Sequence, residues 1–174
     1  MNKITFLVFI AWSLTALAGP QAKVQITAEK KRAEIAKGSV PRAGSQAKSA
    51  ENIQYVLTLK NLSPGDLAGL TVDYLLFVER QRLGEVKTDP SKVDRIAASQ
   101  KVEVLTRQTP QVVTTSEITL NAENLVGRYH YKNGGRIRAE DGVIGVWVRV
   151  SQDGQLIGEY ANPSTVTKRG WDTK

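Results

Sequence analysis

His130 is the one histidine of the chain, set between Tyr129 and Tyr131 in RYHYK. A Ser–His–Asp arrangement needs that base beside a nucleophile and a third group to orient it. No GxSxG elbow offers such a serine. Glu140-Asp141 and Asp153 stand next to or near Gly142 and Gly154, as turn residues do. Paired carboxylates for glycoside hydrolysis depend on separation in space, and no motif marks a pair. There is no P-loop, no dinucleotide fingerprint and no metal-ligand spacing. The chain has no cysteine, which excludes disulfides, iron–sulfur clusters and thiolate zinc sites. The residues therefore predict no catalytic centre, no metal and no cofactor, and an exported hydrolase or inhibitor is the last-ranked expectation.

Binding chemistry is better represented. Arg128, Lys132, Arg136 and Arg138 gather around Tyr129 and Tyr131, a mixture of cations and stacking surfaces suited to acidic glycans. The same mixture suits nucleic acid, which an exported location disfavours; a plain charged loop is the competing expectation. Lys30-Lys31-Arg32 reads as a solvated edge, where Lys blunts aggregation. Asn61-Leu62-Ser63 matches a glycosylation sequon, but Pro64 follows directly and the match is read as chance. The net charge of +7 falls to +6 without residues 1–18, whose only charged side chain is Lys3. That excess is modest. It favours an acidic partner or simply solubility.

The segment 1–18 has the layout of a signal peptide. Lys3 precedes an apolar run from Ile4 to Leu14, and Ala16-Leu17-Ala18 fits the small-x-small cleavage rule. The run is short of the roughly 20 residues of a membrane span; an uncleaved anchor is the alternative. A lipobox would need cysteine after Leu17-Ala18-Gly19, where Pro20 stands one residue beyond, so no lipid is attached there. Cleavage leaves 156 of 174 residues, 19–174, enough for one domain with its own core, periplasmic, on the cell surface or secreted.

Period-2 alternation dominates the mature region and predicts strands. KVQITAEKKRAEI alternates from Val24, NIQYVLTLKN puts Ile53, Tyr55, Leu57 and Leu59 on one face, and NLSPGDLAG between them and LTVDYLLFVER is a turn. GSVPRAGSQAKSA is expected to be a polar loop, and RQRLGEVKTDPSKVDRIAAS an irregular connection with a helical turn after Pro90. KVEVLTR and QVVTTSEITL are further strands split by Thr109-Pro110, and STVTKRGWDTK is a basic tail. About seven short strands without repeats predict an all-β, immunoglobulin-like antiparallel sandwich, with a partly open barrel as the alternative.

VIGVWVRVSQDGQLIGEYANP is a hairpin about Asp153-Gly154. Counting outward without interruption sets Val150 opposite Ile157, Arg149 opposite Gly158 and Trp147 opposite Tyr160. Glu159 then falls awkwardly on the core face. Along LTVDYLLFVER, Leu70, Val72, Tyr74, Leu76 and Val78 form one apolar face, yet Leu75 and Phe77 occupy the other. Leu75, Phe77, Trp147, Arg149 and Tyr160 are expected to form a contact patch for a protein partner outside the main core. The competing expectation is that residues 81–100, or the tail with Trp171, cover it.

LTLKNLSPGDLAGLTVDYLLFVERQRLGE, supported by GVWVRVSQDGQLIGEY, resembles a family of pilus-like proteins encoded near type IV pilus genes in mucus-dwelling gut bacteria. The resemblance implies an immunoglobulin-like fold related to archaeal pilus proteins and a role in or beside surface filaments. It supplies no binding residues. The chain departs from type IV pilins in lacking their N-terminal assembly helix. The leading expectation is a non-enzymatic exported protein working through protein contacts in a pilus or envelope assembly. A carbohydrate-binding module for acidic mucus glycans is the second.

Overall fold

A computed structural model describes residues 23–37, 46–83, 93–125 and 138–171. Residues 1–18, expected to be a signal peptide, lie outside them, as do Arg128, Tyr129, His130, Tyr131, Lys132 and Arg136. Nine antiparallel strands and one 3₁₀ helix (Ser164–Arg169) make up the described chain. The strands are β1 (Val24–Lys37), β2 (Gln46–Asn61), β3 (Leu67–Glu79), β4 (Val93–Leu105), β5 (Gln111–Thr114), β6 (Ile118–Leu125), β7 (Arg138–Glu140), β8 (Gly142–Gln152) and β9 (Gln155–Asn162). One sheet runs β1-β2-β6-β7 with β5 also on β2, and the other runs β4-β3-β8-β9. The expected all-β antiparallel sandwich is what the chain forms.

Alternation accounts for the main core. Ile53, Leu57 and Leu59 of β2 are fully buried in one cluster with Leu70, Val72 and Leu76 of β3 and Val148 and Val150 of β8. Successive strand residues point to opposite faces, so these positions meet between the sheets. On β2 the polar alternates Gln54, Thr58 and Lys60 face away from this core. β3 is central, hydrogen-bonded to β4 on one side and β8 on the other.

Three local expectations are corrected. Residues 93–100 are the first half of β4, not an irregular connection, because Ile96, Ala98 and Gln100 alternate half-buried along β3. Residues 46–50 begin β2 rather than extending the polar loop, since Gln46 to Ile53 pair with β6. The single run expected at 111–120 is two strands. Between them Thr115 is buried, its Oγ1 accepting from the Tyr55 N–H at 2.8 Å while its own N–H donates to the Tyr55 carbonyl at 2.9 Å.

The hairpin turn sits where expected. Asp153 and Gly154 have φ of 50° and 77°, the two positive values of a type I′ turn. The uninterrupted pairing does not hold. Gln152 pairs with Gln155 and Ser151 with Leu156, but Val150 then pairs with Gly158. Ile157 is the extra residue of a β-bulge. Beyond it Arg149 faces Glu159, Val148 faces Tyr160 and Trp147 faces Ala161.

Gly158 opposite Val150 serves a purpose other than making room for Arg149. A Cβ there would lie 2.8 Å from the Val24 carbonyl oxygen, so the missing side chain lets the start of β1 close against β9. The Lys23 N–H donates to the Ile157 carbonyl and the Leu62 N–H to the Lys23 carbonyl, each at 2.8 Å. One backbone residue thus bridges the two sheets at this corner. Gly158→Ala is expected to destabilise the chain by about 1–3 kcal/mol, read as a lower urea midpoint at unchanged slope.

Candidate functional site

The outer face of the β4-β3-β8-β9 sheet carries the residues expected to form a contact patch. Leu75, Phe77 and Trp147 do share that face, because β3 pairs Leu75 with Trp147. They are not open to a partner. Leu75 and Phe77 are fully buried and Trp147 is 4% exposed, in a second cluster with Val166 of the 3₁₀ helix, flanked by Trp171. The competing expectation of a covering tail is the one realised. Val166 seats over Gly145, where an added Cβ would collide with its Cγ1, so the glycine leaves room for it. Arg95 of β4 donates Nη2 to the Arg169 carbonyl at 2.6 Å and stands 5.9 Å from the Phe77 ring centre.

Arg149 lies in this cover rather than in an open patch. Its guanidinium carbon is 4.6 Å from the Trp147 ring centre and 4.4 Å from that of Trp171. The two indoles meet edge-on at 4.8 Å. Glu159 Oε1 accepts from Trp147 Nε1 and Arg149 Nε, both at 2.9 Å. The bulge makes this possible: it moves Glu159 from the core face, where uninterrupted counting placed it, to the outer face beside Arg149. The same step carries Tyr160 the other way, against the main core. Tyr160 is therefore not a member of the patch. A cation over an aromatic face contributes about 0.5–2 kcal/mol, so Arg149 and Glu159 hold Trp171, and with it the tail, on the sheet.

A polar groove at the opposite end from the Asp153-Gly154 turn was not foreseen. It has a volume of ≈ 560 Å³ and is lined by Lys48, Ser49, Arg80, Arg82, Asn121 and Asp141 among others. Its fixed wall is the pair Arg80–Asp141. Arg80 Nη1 is 2.8 Å from Asp141 Oδ2 and 2.8 Å from the Thr119 carbonyl, and its Nε is 3.1 Å from Asp94 Oδ2. Asp141 also accepts the backbone N–H groups of Gln81 and Asn121, each at 3.0 Å. Burial alone would raise its carboxyl pKa, but the Asn121 N–H, the Arg80 side chain and the Gln81 N–H together hold it below the ordinary range.

The network joins the exit of β3, the middle of β6 and the β7–β8 junction. Sequence spacing offered no signal for it, since residues 80, 94, 121 and 141 are brought together only by strand pairing. The wall cations are mostly committed, Lys48 to Glu123 at 2.8 Å and Arg80 to two carboxylates. Of the basic and aromatic stretch expected to contact glycans, Arg138 alone is described; it lies exposed on β7, 2.6 Å from Glu140. Asn61 is buried, its amide donating to the Gly65 and Leu105 carbonyls at 2.8 and 3.0 Å. That ties the β2–β3 turn to the end of β4. Among the described residues no group of three or more His, Asp or Glu is arranged to hold a metal ion. None of their helices is long and apolar enough to cross a membrane.

Asp141 sets a pH dependence. Its folded pKa is depressed, so its contribution is complete above the unfolded value near 3.9 and is lost as pH falls through the folded value. Asp141→Asn is expected to lower stability by about 2 kcal/mol at neutral pH, the low side for a buried pair because Arg80 is 35% exposed. Melting followed from pH 7 to 2 should show the wild type losing its advantage over the variant only at the acid end.

No protein-family model matches the chain, and no curated protein does. Solved structures similar to it share few identical residues. A protein from Bacteroides fragilis proposed to be a beta-galactosidase is 14% identical over 81% of this chain, with a TM-score of 0.36; the chain spans 15% of that protein's length. A protein from Akkermansia muciniphila is 11% identical, covering 89% of this chain and 79% of that one, with a TM-score of 0.38. A structural-genomics target is 8% identical, covering 82% and 88%, with a TM-score of 0.39.

Proposed function

We propose that this chain is an exported, non-enzymatic immunoglobulin-like protein of the bacterial envelope, accessory to a pilus or similar assembly, and that it acts through protein–protein contacts. The export layout of residues 1–18 and the resemblance carried by Leu57–Glu85 support the setting. The observation that carries the mechanism is the outer edge of β4. This strand is 13 residues long, pairs with β3 along one side, and ends its sheet among the described residues. With the apolar face over Phe77 and Trp147 covered by the tail, the edge is the surface that supports docking by strand addition.

Ala97 and Ser99 are exposed near the middle of β4. Lysines on an edge oppose pairing while leaving the strand in its own sheet. The double variant Ala97→Lys/Ser99→Lys is expected to recover roughly tenfold less partner from envelope extract, a change of about 1.4 kcal/mol, at unchanged melting temperature. Equal recovery would overturn the edge as the contact.

The groove beside Arg80 favours a second reading, an acidic-glycan site. Arg82 is exposed on its wall, and its volume is within the range of small-ligand sites. An array of sulfated and sialylated glycans probed at low salt is expected to give signal that Arg82→Ala reduces; a blank array removes this reading.

A further inference from the structure

Resting on the reading of the groove beside Arg80 as an acidic-glycan site, we infer that one singly charged group of the sugar seats on Arg82 and the Nη2 end of Arg80. Glu123 is its competitor within the chain, because it holds Lys48. Lys48, Arg80 and Arg82 line the groove together with the carboxylates of Asp141 and Glu123. Their commitments differ, and that difference sets what the groove can take.

Asp141 is met from within the wall, by Arg80 Nη1 and the N–H groups of Gln81 and Asn121. Arg80 has five N–H donors. Its Nε serves Asp94, and its Nη1 serves Asp141 and the Thr119 carbonyl. The two N–H groups on Nη2 have no partner among the described residues, and the three acceptors keep the guanidinium from turning away. Arg82 is exposed, with neither a hydrogen bond nor an ion pair among the described residues. Two positions along the chain put the Cα atoms at most about 7 Å apart, so both side chains reach one oxyanion.

Lys48 is the third cation, directly opposite Glu123 across β2 and β6, with Nζ 2.8 Å from its Oε1. An exposed pair of this kind contributes little, so an arriving anion can draw Lys48 away. Glu123 opposes that anion both as a like charge and by occupying the ammonium. With Asp141 met by Arg80 and Glu123 by Lys48, Arg82 is the cation left over, which matches a single negative charge. The remaining lining reads hydroxyls. Gln81 Oε1 accepts from the Glu140 N–H at 3.3 Å and Asn121 Nδ2 donates to Asp141 at 3.4 Å, leaving the other end of each carboxamide for a sugar hydroxyl. Among the described residues none that lines the groove is aromatic, so recognition is by hydrogen bonds rather than ring stacking.

Calorimetric titration of the purified full chain at low salt with sialyllactose, sulfated lactose and lactose tests this. A charged sugar is expected to bind more tightly than lactose, and the carboxylate and sulfate arms identify the source of the charge. Arg82→Ala is expected to weaken that sugar about tenfold. Glu123→Gln, which keeps the side chain's shape, is expected to tighten it about threefold at nearly unchanged melting temperature. If Arg82→Ala weakens binding but Glu123→Gln does not tighten it, the competitor is overturned and the acidic-glycan reading stands. If neither charged sugar binds more tightly than lactose while the glycan array gives signal that Arg82→Ala reduces, the singly charged seat is overturned and the reading stands. If the array is blank as well, or Arg82→Ala changes nothing, both fail.

Discussion

Leu75 and Phe77 alternate with Tyr74, Leu76 and Val78 along β3, so this central strand needs apolar cover on both of its faces. The opposing sheet supplies one cover. The other comes from the end of the chain, which crosses the outside of the sheet as a 3₁₀ helix and seats Val166 over Gly145. This double burial governs much of the remaining structure. Trp147 becomes a buried side chain, and Trp171 part of its cover.

A single extra residue makes the lid hold. Ile157 bulges out of the β8–β9 ladder, and every residue of β9 beyond it changes face relative to uninterrupted counting. Glu159 is thereby taken from the apolar core, where a carboxylate would be costly to bury, and placed between Trp147 and Arg149. Tyr160 fills the vacated inner position. The bulge converts an unfavourable pattern into an ion pair that clamps the tail.

At the other end the sheets are joined by polar chemistry. Asp141 takes donors from Arg80, Gln81 and Asn121, and each lone pair satisfied offsets the cost of its burial. Near the hairpin turn Lys23 bridges the sheets through its backbone alone. The seam is thus closed at both ends, while β4 is an edge strand among the described residues.

The strand pattern, the two faces of β3 and the Asp153-Gly154 turn were legible in the sequence. Each rests on alternation or turn chemistry, which act over a few neighbouring residues. The start of β4 was not, because its residues alternate weakly and become a strand only against β3. The bulge was not either, since pairing Val150 with Gly158 rather than Ile157 depends on how closely Val24 approaches. Nor was the Arg80–Asp141 network, whose members lie up to 61 residues apart. The sequence by itself determined which faces must be buried; the tertiary structure alone decided what buries them, because burial is satisfied by any apolar surface that folding brings near, and nearness across the sandwich is not written in local order.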